Sequence, residues 1–152
     1  MHRRVAECFE QDEPDRVTDI ARHFLEARED LRALPYLVEA GDRAASAYSA
    51  STAIESYRAA LDILDTTMDL PLARRAHEGL GSALTFSFDI SGAMEVYHTM
   101  LHIAEEHEDI PMQVYAHNKL GFVTALMRGE FPEAEKHLED AERLAHSCND
   151  LT

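Results

Sequence analysis

The sequence predicts an all-α fold, a solenoid of antiparallel helix hairpins with about eight helices. Three observations carry the prediction. Gly41, Gly81 and Gly121 are spaced by 40 and 40 residues. Upstream of each glycine, apolar residues recur at intervals of three and four, as in Tyr36, Leu37, Ala40, Ala44 and Tyr48, which is the period of one helix face. No stretch shows the strict alternation of Val, Ile and Thr that strands need, and turn signals come too far apart for β-hairpins.

Taken in order, Val5, Ala6, Cys8 and Phe9 suggest a short leading helix. Val17, Ile20, Ala21, Phe24 and Leu25 form an amphipathic second one, so residues 1–29 read as a degenerate first hairpin. Three fuller hairpins follow, over 30–69, 70–109 and 110–148. The 152 residues are thus nearly four periods of 40, forming one repeat domain whose core is a row of nearest-neighbour contacts. Within each repeat a second helix begins after the glycine, marked by Ala53 and Ala93 at an offset of 12 and by Ala134 at 13. Tyr57, Tyr97 and Leu138 come four residues later, followed by Ala60, Met100 and Ala141, then Ile63, Ile103 and Leu144. Breaks fall at Ser49-Ala50-Ser51, at Asp89-Ile90-Ser91-Gly92 and at residues 128–132. Pro71 and Pro111 suit the first turn of a helix, where a missing N–H costs nothing. Pro35 predicts a kink, or a helix start near Leu34.

A glycine inside a helix costs about 1 kcal/mol relative to alanine. Its repetition at Gly41, Gly81 and Gly121 points to a repeated need, the close approach of a partner helix carrying a bulky side chain such as Tyr57 or Tyr97. Ala53, Ala93 and Ala134 would serve the same contact from the other side. These eight positions, with Leu138, are the expected repeat-packing set.

These columns resemble the tetratricopeptide repeat. His77-x-x-Leu80-Gly81-x-x-Leu84 with Ala93-x-x-x-Tyr97 is one copy, and His117-x-x-Leu120-Gly121 with Ala134-x-x-x-Leu138 a second. Leu37-x-x-Ala40-Gly41 with Ala53-x-x-x-Tyr57 is a weaker third. The period is 40 rather than 34, tryptophan is absent, and the closing proline is missing. Longer helices of this kind are similar to the tetratricopeptide-like arms of multidomain signal-transduction ATPases and transcriptional regulators, and the stretch from Asp15 to Leu64 resembles the start of such an arm. The resemblance implies a right-handed superhelix and a role in protein binding, with any ATPase region outside these residues. No GxxxxGK[ST] loop occurs in the sequence.

In arrays of this family the first helix of each pair lines a concave groove. The alignment therefore nominates Arg75, Glu78, Ser82 and Phe86 from one repeat, and Tyr115, Asn118 and Phe122 with Ala125 from the next, as partner-binding positions. Phe86 and Phe122 suit a groove anchor or an ordinary core position equally well. The Lys, Asn and Arg set by which some family members clamp a chaperone's C-terminal carboxylate is not matched, since Val38, Asp42, Glu78 and Ser82 stand there and only Asn118 fits.

Charge narrows the partner. The chain carries 29 acidic and 14 basic residues, a net of −15. Residues 1–76 hold ten basic and fifteen acidic residues, and residues 77–152 four and fourteen. Phosphate neutralisation needs clustered Lys and Arg, so direct nucleic-acid and membrane-surface binding are not expected. A basic protein or peptide is the expected partner. The alternatives are a small-molecule-sensing pocket between helices and self-association through a terminal hairpin.

Catalysis is not expected. Cys8 and Cys148 belong to no ligand-spaced cluster, and no HExxH or GxSxG occurs. His98 and His102, one turn apart with Glu95 and Glu106 nearby, could offer two metal ligands but lack a third at a fixed spacing, so neither a metal nor a cofactor is expected. Acidic residues follow the basic start Met1-His2-Arg3-Arg4 where a signal peptide needs an apolar core, and no apolar run approaches a membrane span of about 20 residues. The expected location is cytoplasmic.

Overall fold

The computed structural model describes residues 1–67 and 69–149, and of Met127, Arg128, Cys148 and Asn149 the backbone alone. Among these residues the chain is all helical, with no strand. The helices are α1 (His2–Asp12), α2 (Val17–Glu26), α3 (Asp30–Ser46), α4 (Ala50–Leu64), α5 (Leu70–Phe86), α6 (Ile90–Glu106), α7 (Ile110–Val123) and α8 (Phe131–Asn149). A π-helical turn, Thr124–Arg128, continues α7. No described helix is long and apolar enough to cross a membrane.

Contacts divide the chain into two compact units, Met1–Ala83 and Leu84–Thr152, with the division falling inside α5. In the first unit α1 packs on α2, α2 on α3 and α3 on α4. Its core is built from Ile20, Phe24, Leu34, Val38, Tyr57 and Leu64, interleaved with alanines at positions such as 33, 53, 60 and 76. In the second unit α7 packs on both α6 and α8. It is accordingly buried on two sides, by Met112, Gln113, Ala116, His117, Leu120 and Val123. The buried amide of Gln113 donates to the Ala104 carbonyl at 3.1 Å, which satisfies an acceptor at the end of α6.

The turns recur at half the glycine period. Arg28, Tyr48, Phe88 and Glu108 all have φ between 54° and 61°, the left-handed conformation in which a side chain is strained. Each is followed by a residue whose N–H reaches back to the preceding helix: Glu29 to the Phe24 carbonyl, Ser49 to Ala44, Asp89 to Leu84 and Asp109 to Ala104. This six-to-one bond satisfies carbonyls that the helix end leaves unpaired. Side-chain caps open α5, α6 and α7. Asp89 accepts from Gly92 N–H at 3.0 Å, Asp109 from Met112 N–H at 2.9 Å, and Asp69 from Leu72 N–H at 3.1 Å.

The third repeat carries one residue more than the others between its glycine and its alanine, and the π-helical turn absorbs it. Gly129, at φ 71°, then takes the left-handed position that Tyr48 and Phe88 hold in the other hairpins.

The expected helix start near Leu34 is corrected. α3 begins at Asp30 behind Glu29 and runs through Pro35. Pro35 and Leu31, whose carbonyl the proline leaves unpaired, are both exposed, so water can take up that acceptor.

Candidate functional site

The packing positions set the frame on which any site rests. Tyr57 fills the space over Gly41, where a Cβ would lie 2.5 Å from its Cε1. The same ring covers Gly79 of α5, whose Cβ would lie 2.5 Å from the Tyr57 hydroxyl. Sequence reasoning singled out Gly41 and passed over Gly79, which stands outside the 40-residue column. Gly81 is buried, as are Ala53, Ala93, Tyr97 and Ala134. A Cβ at Gly121 would lie 3.0 Å from Leu138 Cδ2 and 3.2 Å from the Ala134 carbonyl oxygen. Leu138 nevertheless remains about half exposed.

Arg75, Glu78 and Ser82 lie in the first unit. Arg75 pairs with Asp42 and, at 2.8 Å, with Glu39, both on α3. Asp42 also accepts the Tyr57 hydroxyl at 2.6 Å, and Glu39 binds Arg43 at 3.0 Å. Burial and the Asp42 carboxylate together hold the Tyr57 phenol well above its ordinary range. The guanidinium of Arg75 is therefore engaged in tying α5 to α3. Glu78 is paired with Arg74 at 2.8 Å, and Ser82 is exposed.

Phe86, Tyr115, Asn118 and Phe122 lie in the second unit. Tyr115, Asn118 and Phe122 are spaced for one face of α7, with Asn118 exposed and Phe122 46% exposed. The Lys119 ammonium lies 5.2 Å from the centre of the Tyr115 ring. Phe86 is 62% exposed, so both phenylalanines that could have been core are surface residues.

Surface apolar side chains that the repeat pattern did not mark lie around the turns of this unit. Phe88 is 78% exposed at the left-handed position between α5 and α6, and Leu126 and Phe131 are exposed beside the turn that leads into α8. Connections of two or three residues force neighbouring helices to run antiparallel, which brings the α5–α6 and α7–α8 turns to one end of the unit. That end presents Phe86, Phe88, Leu126 and Phe131 to solvent. The only early signal was their place beside turn residues, where polar side chains are usual.

The residues weighed for chemistry do not assemble. His102 reaches Glu106 at 3.6 Å on the surface. The His98 ring faces that of His137 at 6.2 Å, and His137 Nδ1 meets His117 Nδ1 at 3.1 Å. Burial holds both His117 and His137 below their ordinary value, with mutual repulsion adding to the effect at His137. Cys8 donates its thiol to Asp12 at 3.2 Å, and this hydrogen bond to a carboxylate raises its pKa, the reverse of an activated nucleophile. The Cys148 side chain lies outside the described residues.

Comparison with protein-family models and with the curated proteins gives no match to this sequence.

Proposed function

We propose that the chain is a non-catalytic protein-interaction or sensor module, a cytoplasmic helical arm of a regulatory ATPase or transcriptional regulator that takes a basic protein segment as its partner. The right-handed superhelix implied by the tetratricopeptide resemblance belongs to the same reading. One observation carries it: the second unit places four exposed phenylalanines, Phe86, Phe88, Phe122 and Phe131, on a body with thirteen acidic and four basic residues. Aromatic rings supply contact area at low entropic cost, and the acidic field attracts and orients a cationic partner. Arg75, committed to α3, contributes stability rather than recognition.

The test compares proteins captured from the source cytosol by the native chain and by a Tyr115→Ala/Asn118→Ala/Phe122→Ala variant, each at low and high salt. A basic protein held by the native chain, released by salt and missed by the variant supports the reading. Identical capture by both chains rejects the α7 face as the binding surface.

A further inference from the structure

We propose a divalent-metal site of the zinc class between α1 and α2, with His2, His23 and Glu26 as its ligands. His2 Nδ1 lies 3.2 Å from His23 Nδ1 and 2.6 Å from Glu26 Oε2, and His23 Nδ1 lies 3.2 Å from the same oxygen. It is the one group of three such donors that converges among the described residues.

The triangle has the dimensions of one face of a coordination shell. Bonds of about 2.0–2.1 Å from zinc to imidazole nitrogen and carboxylate oxygen place adjacent ligand atoms about 2.9 Å apart in an octahedron and about 3.3 Å apart in a tetrahedron. Two of the three edges fall in that range, and the third, at 2.6 Å, opens by a few tenths of an ångström on binding.

Protons fit the triangle less well. Each neutral imidazole carries one N–H. If both Nδ1–H groups donate to Glu26 Oε2, the two hydrogens lie along the nitrogen–oxygen edges and converge on one oxygen, leaving the close nitrogen–nitrogen approach unbonded; if one donates, the other turns a lone pair toward the carboxylate. A cation receives all three lone pairs at once. Two imidazoles and a carboxylate form a recurrent zinc ligand set, with a fourth position left for water. His2 and Glu26 are partly exposed, so water has access.

The surroundings hold the ligands in place. His23 and Glu26 stand three apart on one face of α2. The His23 side chain is mostly buried beside Phe9, and its ring is stacked on that of His2. Nearby cations are occupied elsewhere: Arg3 on Glu7 at 2.9 Å, and Arg22 on Asp19 at 2.8 Å, with only a 3.9 Å approach to the other Glu26 oxygen. Bound metal would tie the first helix to the second. The sequence hides the site because 21 residues separate His2 from His23.

The experiment titrates the full chain with zinc alone, against a chromogenic chelator. One zinc per chain is expected, with a rise in the thermal midpoint. His2→Ala, His23→Ala and Glu26→Gln should each weaken binding at least tenfold, while His137→Ala, in the other histidine cluster, leaves it unchanged. The exposed position of His2 keeps the test valid if His23→Ala disturbs packing. Absence of zinc binding, binding that survives all three ligand variants, or loss confined to His137→Ala would overturn the assignment.

Discussion

Gly79→Ala is the sharpest probe of the packing in the first unit, because helix propensity and tertiary fit predict opposite signs for it. In a free helix the substitution stabilises by about 1 kcal/mol. Here the new Cβ would lie 2.5 Å from the Tyr57 hydroxyl and 2.7 Å from Cε1, roughly 1 Å inside van der Waals contact. The ring cannot swing aside freely. It is 1% exposed, Gly41 bounds it as well, and its hydroxyl donates to Asp42 at 2.6 Å. Overpacking costs about 1–3 kcal/mol, and a strained hydrogen bond to a carboxylate about 1.5 more. Against the propensity gain, a net loss of about 2 kcal/mol remains. Urea unfolding followed by circular dichroism measures it. In a Tyr57→Leu background the obstacle is gone, so Gly79→Ala should become neutral or stabilising by up to about 1 kcal/mol. A stabilising Gly79→Ala in the native chain, or the same change in both backgrounds, would refute the reasoning.

Acid should weaken both units. Burial lowers the pKa of His77, whose Nδ1–H donates to the Ala73 carbonyl at 2.8 Å, and likewise lowers those of His117 and His137. The unfolded chain then binds more protons than the folded one, so stability is full above the ordinary histidine value of 6.5 and falls as pH drops from there toward the folded values. Unfolding curves between pH 8 and 5 report it, and a His117→Gln/His137→Gln chain should lose less on acidification than the native one. Tyr48→Gly and Phe88→Gly each remove a side chain from the left-handed region and should raise stability by about 1 kcal/mol, read as a shift in the urea midpoint; a loss in both would refute the strain assigned to those turns. Thr124 Oγ1 is fully buried with no hydrogen-bond partner among the described residues, so Thr124→Val should stabilise by about 1 kcal/mol, and a loss of similar size would reveal an unseen partner for the hydroxyl.

Local patterns were legible in the sequence where one residue type has one physical reading. The glycine column, the three-and-four apolar spacing and the prolines near 71 and 111 place the helices of all three repeats to within a few residues. Features that depend on where distant side chains meet were not. Gly79 looks like any helix glycine until Tyr57 is seen above it, and Arg75 looks available until Glu39 and Asp42 converge on it. Tyr48, Phe88, Arg28 and Glu108 hide left-handed turns, because glycine is the usual marker there. The one-residue slip in the third repeat was visible, whereas its resolution as a π-helical turn depends on the packing of α7 between α6 and α8.

Recognition of a basic segment by the second unit is tested most directly by selecting peptides from an unbiased displayed library on the full chain and measuring their affinity at 50 and 300 mM salt. Lys- and Arg-rich peptides should be enriched, bind more weakly at the higher salt, and lose at least tenfold affinity for a Phe88→Ala/Phe122→Ala chain. Selection of no peptide, enrichment of acidic ones, or affinity indifferent to both salt and the two phenylalanines would contradict a role in binding cationic partners.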